Sequence, residues 1–161
     1  MGKAYFKTLP KLKNLNKKNI IIIGYGGAAH AIHYVLKKKK FKNIIIINRT
    51  KKKLMFENKI KYTLGLNQLT KHLKNADLII NTTPINPINK SQVMLVNKKT
   101  ILSDIVYSPK ETKFLRKFPN NKKIYGIDML IQQAVPCFKY WFGIKPKIDT
   151  ELIKIVDKKI T

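Results

Sequence analysis

The chain has one cysteine, one tryptophan, two arginines and only 8 acidic residues in 161, and each scarcity narrows what it can be. With Cys137 alone, no disulfide can form within the chain, and nothing points to an oxidising compartment. No group of Cys and His has metal-ligand spacing. Long apolar runs are missing too. The stretch from Ile20 to Ile23 is far too short for a signal-peptide core or a membrane span, so a cytoplasmic location without a membrane partner is expected. The shortage of acids leaves 34 basic residues and a net charge of +26. A charge this large raises nucleic acid as a partner, but only Arg49 and Arg116 carry the guanidinium that reads guanine and phosphate bidentately. The lysines are spread along the whole chain, and clustering rather than total charge marks a nucleic-acid site, so no specific nucleic-acid partner is expected.

What is present is ordinary for a globular domain: 44% hydrophobic and 26% charged residues, in a length suited to one domain. Short β-branched runs at 19–23, 43–48, 59–63, 77–81, 100–105 and 123–125 alternate with segments of helical period. That alternation predicts βα units around a parallel sheet. Helices are expected at 26–40, 51–57, 67–74, 111–118, 128–142 and 150–160, with the fifth interrupted or distorted near Pro136. The expected fold is therefore α/β: a Rossmann-type, doubly wound parallel sheet of about six strands with closing C-terminal helices.

The first strand runs directly into Gly24-Tyr25-Gly26-Gly27-Ala28-Ala29, which opens the first helix. This is G-x-G-x-x-A in the strand-turn-helix setting that gives the motif meaning. Gly24 permits the tight turn, Gly26 admits a pyrophosphate close to the backbone, and Ala29 lets helix and strand pack closely. Amides at the helix N-terminus then face the phosphates. The second strand discriminates between dinucleotides. An NAD site places a carboxylate there, about 20 residues beyond the glycines, to accept hydrogen bonds from the ribose. Here the strand ends in Asn48-Arg49-Thr50, followed by Lys51, Lys52 and Lys53. No acid repels a 2′-phosphate, and one of only two arginines stands where it can pair with phosphate, so NADP(H) is the expected cofactor.

Further segments extend the pattern. Ala76-Asp77-Leu78-Ile79-Ile80-Asn81-Thr82-Thr83-Pro84 forms a strand and turn. Asp104-Ile105-Val106-Tyr107-Ser108-Pro109 with Thr112 reads D-x-x-Y-x-P-x-x-T. Gly126 followed by Met129-Leu130-Ile131-Gln132-Gln133-Ala134 reads G-x-x-M-L-x-x-Q-A, continued by Phe138, Trp141, Gly143 and Pro146. In this order and spacing, from Asn19 to Pro146, the chain resembles the shikimate and quinate dehydrogenase family. The resemblance implies cofactor contacts at Gly24, Tyr25, Gly26, Gly27 and Ala28, and at Asn48, Arg49, Thr50, Lys51, Lys52 and Lys53. It also implies them at Thr82, Thr83 and Ile105, and at Gly126 and Met129 near the nicotinamide. Tyr107 and Gln133 match positions that contact shikimate. A phenol and an amide can bind hydroxyl and carboxylate groups without taking a proton themselves. Tyr25 replaces the small residue usual in the turn, and Val135 and Pro136 depart from the usual helix.

The implied activity is NADP-dependent interconversion of 3-dehydroshikimate and shikimate, an oxidoreductase step of aromatic amino-acid biosynthesis. In the family the substrate domain, with its catalytic Lys and Asp, precedes the nucleotide domain. Residues 1–18 are accordingly expected to be a linker helix from a missing N-terminal substrate domain, and residues 19–161 the NADP-binding domain. Hydride chemistry on an alcohol also needs a proton-transfer group. None is named here: Asp104 reads as a strand-end turn former, and His30, His33 and His72 as solvated imidazoles. Activity of the chain alone is therefore not expected. A standalone, non-catalytic NADP-binding module, charge-driven nucleic-acid binding, and the related NADP domain of glutamyl-tRNA reductase are the alternative readings. Without its partner domain, the face formed by the first residues and the helix from Asp128 is expected to expose apolar side chains.

Overall fold

The computed structural model describes residues 5, 7–9, 17–56 and 59–160. Most of the expected linker helix at 1–18 lies outside the described residues. Within it, Tyr5 is buried in the core, and burial pushes its phenol well above the usual range.

Five strands form one parallel sheet: β1 (Asn19–Ile23), β2 (Asn43–Ile47), β5 (Leu78–Asn81), β6 (Ile101–Asp104) and β7 (Lys123–Ile124), in the order β2-β1-β5-β6-β7. β1 is an asparagine followed by four isoleucines and is buried on both faces, as a central parallel strand must be. Its alternation sends Ile20 and Ile22 to one core, and Ile21 and Ile23 to the other. The first core is closed by Ala29, Ile32 and Leu36 of α1 (Gly27–Lys38) and Met129 of α5 (Gly126–Phe142). The second is closed by Leu69 and Leu73 of α2 (Leu69–Leu73) and by Phe114 and Leu115 of α4 (Lys113–Arg116). A short α3 (Lys90–Val93) follows β5, and α6 (Thr150–Ile160) ends the chain. Helices on both faces make the sheet doubly wound, as expected.

Two segments differ from expectation. The run at 51–57, expected to be helical, instead forms β3 (Lys53–Phe56). It pairs antiparallel with β4 (Lys59–Tyr62) in a separate two-stranded sheet. The alternating K-I-K-Y sequence of β4 has the two-residue period of a strand and suits a ribbon. The sixth strand is thereby reduced to one parallel bridge, Ile47 to Leu64, just past β4. The second difference is α5, which runs from Gly126 to Phe142 through Pro136 without interruption. Pro136 is exposed while its neighbour Val135 is buried, so the packed face is undisturbed.

The second half of α5 exposes Phe138 and Phe142, with Tyr140 and Trp141 beside them and Ile144 beyond, whereas Leu130 and Ile131 are partly buried, and most of the first residues of the expected apolar face lie outside the described ones. No helix among the described residues is long and apolar enough to cross a membrane.

Candidate functional site

The site is set by register. Parallel pairing aligns Ile47, Ile23, Asn81 and Asp104 across the sheet. One residue further on, the ladder continues through Gly24 N–H to Ile47 O (2.8 Å), Thr82 N–H to Ile23 O (2.8 Å) and Ile105 N–H to Asn81 O (3.1 Å). Asn48, Gly24, Thr82 and Ile105 thus stand in a row on the carboxyl edge, about 14 Å long at normal strand spacing. The chain reverses direction across the sheet between β1 and β5. Ligands of open α/β sheets bind outside the strand ends at such a switch point.

Two cavities open along this row. One, of about 500 Å³, is lined by Ile23, Gly24, Ile47, Asn48, Arg49, Leu66 and the 83–87 turn. The other, of about 420 Å³, is lined by Thr82, Thr83, Pro84, Ile105, Val106, Tyr107 and Ser108. Thr83 and Pro84 belong to both walls, so the cavities adjoin.

At the first cavity, Gly24 adopts φ +93°, and a Cβ there would lie 2.5 Å from Thr82 Oγ1. Gly26 and Gly27 behave differently: an added Cβ meets no atom within 4 Å, which leaves the helix entrance open. The first-turn amides of α1 have no carbonyl partner within the helix and can serve an anion. Arg49 is exposed and makes no ion pair among the described residues. Lys51 holds its ammonium 4.6 Å from the centre of the Tyr62 ring, and Lys52 reaches the carbonyl of Tyr25 at 3.4 Å. Lys53 is exposed and opens β3.

Tyr25, the unusual residue of the turn, is buried, and its ring stacks on His30 at 3.9 Å and meets His33 edge-on at 6.2 Å. His30 is exposed and His72 partly so, but His33 is buried and not a solvated imidazole. It is the fourth apolar-facing position of α1 and lies under Tyr25. Burial, reinforced by Lys37 and His30, lowers its pKa to about 4. Between pH 6.5 and 4 the unfolded chain therefore takes up a proton that the folded one refuses, so stability falls as pH falls through that window. The loss is expected to be about 2 kcal/mol between pH 7 and 4.5. Denaturant melts at both pH values should show a smaller acid loss in His33→Gln. Asp104 contributes with the opposite sign, because burial raises its pKa, but this cancels in the comparison.

The second cavity is organised by two buried polar side chains. Asn81 donates to the carbonyls of Thr83 (3.0 Å) and Ile85 (3.2 Å) and accepts from Thr83 N–H and Oγ1, which shapes the Thr-Thr-Pro turn. Asp104 accepts from Thr112 Oγ1 (2.6 Å), Val106 N–H (3.1 Å) and Asn81 Nδ2 (3.3 Å). Its oxygens are engaged in holding the strand end, in agreement with a turn former. The role of Asn81 was not read from sequence, although Asn at a strand end before a polar turn is a recognisable signal. The 85–87 wall, Ile85-Asn86-Pro87, was likewise not read from sequence.

Ile105 and Tyr107 line this cavity, with Tyr107 46% exposed. Gln133 lies half-buried on α5 and lines neither cavity. Met129 is buried in the first core, and Gly126 is wedged against the β6 end. The walls of the second cavity carry no carboxylate, amine or imidazole.

Fold and site together define a Rossmann-type domain with a two-part cleft at its switch point. The family model "Shikimate / quinate 5-dehydrogenase" matches residues 7–130. The NADP(+) shikimate dehydrogenase of Bartonella tribocorum is 40% identical over 82% of this chain and 50% of its own length. That of Methanocaldococcus jannaschii is 34% identical over 92% of this chain and 58% of its own. Among solved structures, a shikimate dehydrogenase in complex with NADP+ superposes with a TM-score of 0.72 at 28% identity, over 99% of this chain and 60% of that one. The chain belongs to the shikimate/quinate 5-dehydrogenase family. It spans about half the length of the curated relatives it matches.

Proposed function

We propose that the cleft binds NADP(H) and that this chain is the nucleotide-binding part of a shikimate dehydrogenase, reducing 3-dehydroshikimate to shikimate in the cytoplasm. The observation that carries the reading is the first cavity. It joins the glycine turn to Arg49, and its walls carry no acid. An acid-free wall with a guanidinium accommodates a 2′-phosphate that a carboxylate would repel. The open space at Gly26 and Gly27 fits a pyrophosphate against the first turn of α1. The relatives' names, which print NADP(+), agree with this.

The adenosine end would lie by Asn48, Arg49 and Thr50, with Lys51 to Lys53 adding positive potential. The nicotinamide end would lie by Thr82, Thr83 and Ile105. NADPH, when bound, supplies the hydride. Ile105 and Val106 form an apolar wall that keeps water from the transfer. The Tyr107 phenol donates a hydrogen bond to a substrate oxygen; Gln133 on α5, outside both cavity walls, is a second contact only by the family resemblance. Since the cavity walls carry no carboxylate, amine or imidazole, and Tyr107 is read as a binding group, the proton-transfer group is expected from the other half of the relatives' length, in a substrate-binding domain. The same gap favours the second reading, a non-catalytic NADP-binding module. Shikimate-dependent turnover on supplying the complementary half separates the two.

Calorimetric titration tests the cofactor assignment. NADPH should bind more tightly than NADH, and Arg49→Ala should weaken NADPH by about tenfold while leaving NADH within about twofold. Binding of neither nucleotide would overturn the proposal.

A further inference from the structure

We infer that Thr63 is a positioning residue that sets the chain's discrimination between 2′-phosphorylated and unphosphorylated dinucleotides. This rests on the NADP(H) reading above.

In this chain the loop after β2 enters a ribbon rather than a helix, so no helix following β2 holds its cationic residues in place. The return strand of the ribbon does so instead. Thr63 is 4% exposed, and its hydroxyl is the centre of the arrangement. It accepts from Lys52 N–H at 2.9 Å and donates to the Thr50 carbonyl at 3.3 Å. Its own amide donates to the Lys52 carbonyl at 2.9 Å. One residue on, the Leu64 carbonyl accepts Asn48 N–H at 2.8 Å. One residue back, the Tyr62 ring lies under the Lys51 ammonium. Across the turn, Asn48 Nδ2 donates to the Thr50 carbonyl at 2.7 Å, so that carbonyl is held from two sides.

The loop from Asn48 to Lys52 is thus pinned at its two ends and at its middle, while Arg49 projects between the pins into the first cavity. A hydroxyl suits the position because it donates and accepts at once from a buried side chain. Removing it takes from the Lys52 amide its acceptor and leaves the Thr50 carbonyl held by Asn48 Nδ2 alone, and the loop responds by moving. Gly24 is held through Ile47 and Thr82, and the loop touches the glycine turn only through the long contact of the Lys52 ammonium with the Tyr25 carbonyl at 3.4 Å. The cost should therefore fall on the 2′-phosphate contacts and spare those to the shared pyrophosphate.

The experiment compares NADPH and NADH affinities of the 161-residue chain with those of Thr63→Val and Thr63→Ser. Valine keeps the shape without the hydroxyl; serine keeps the hydroxyl. Thr63→Val should lose NADPH affinity by about five- to tenfold with NADH nearly unchanged, and Thr63→Ser should restore the preference. An equal loss for both nucleotides, or no rescue by serine, would overturn the inference while leaving the cofactor assignment intact. A wild-type chain without preference for NADPH would overturn the assignment itself, and the inference with it. Hydrogen exchange of the wild-type chain needs no variant to fold. The Lys52 amide should be protected and gain further protection with NADPH but not NADH. Exchange as fast as an open loop amide would overturn the inference.

Discussion

Gly126→Ala is expected to destabilise the chain by about 3 kcal/mol or more, a large share of the stability of an ordinary domain. The methyl would lie 2.5 Å from the Ile105 carbonyl oxygen and against that of Val106. Both are backbone atoms, which cannot rotate away as a side chain end can. Relief requires α5 to back off the β6 end, which uncovers the buried Ile127 and opens the first core at Met129. The same movement displaces Ile105 and Val106, two walls of the second cavity. Loss of stability and loss of the cleft should therefore appear together. A denaturation midpoint near that of the wild type would show that the helix N-terminus accommodates a side chain, contrary to this packing.

Gly24→Ala is expected to cost about 2–4 kcal/mol and to abolish measurable nucleotide binding. Two effects add at this position. Its φ of +93° is one that residues with a Cβ rarely adopt, and the added carbon would meet Thr82 Oγ1 at 2.5 Å and Thr83 Cγ2 at 2.7 Å. Thr82 Oγ1 in turn donates to the Ile23 carbonyl at 2.8 Å, so the clash strikes the joint between β1 and the Thr-Thr-Pro turn. Denaturation and calorimetry on the same preparation separate the two effects. If the variant is stable and still binds NADPH, the turn is not the seat of the pyrophosphate.

The candidate cleft was legible where local chemistry is specific. A glycine turn after a run of isoleucines leaves few other readings, and Asn48-Arg49-Thr50 without an acid speaks directly about the ligand. The Asp-Ile-Val-Tyr segment was read through the family resemblance rather than from its local chemistry, and both Ile105 and Tyr107 line the second cavity. Less legible were residues whose role depends on a distant partner. Thr63 reads as the polar last residue of an expected strand until its hydroxyl is seen beside Thr50 and Lys52. His33 sits on a helix that also bears the exposed His30 and Tyr34, and its burial, with the Tyr25 ring edge-on to it, shows only in the tertiary structure. The run 51–57 was misread as helix because lysine is a good helix former in isolation. Pairing with 59–62 outweighed that propensity.

By itself the sequence determined the parallel sheet, its doubly wound helices and the order of motifs along the chain, because apolar periodicity and glycine placement act over a few residues. Only the tertiary structure decided that Asn48, Gly24, Thr82 and Ile105 share one edge, and that a ribbon anchored at Leu64 stands where a sixth strand was expected. Register and pairing join residues far apart in the chain, and their free energy comes from contacts that no single segment contains.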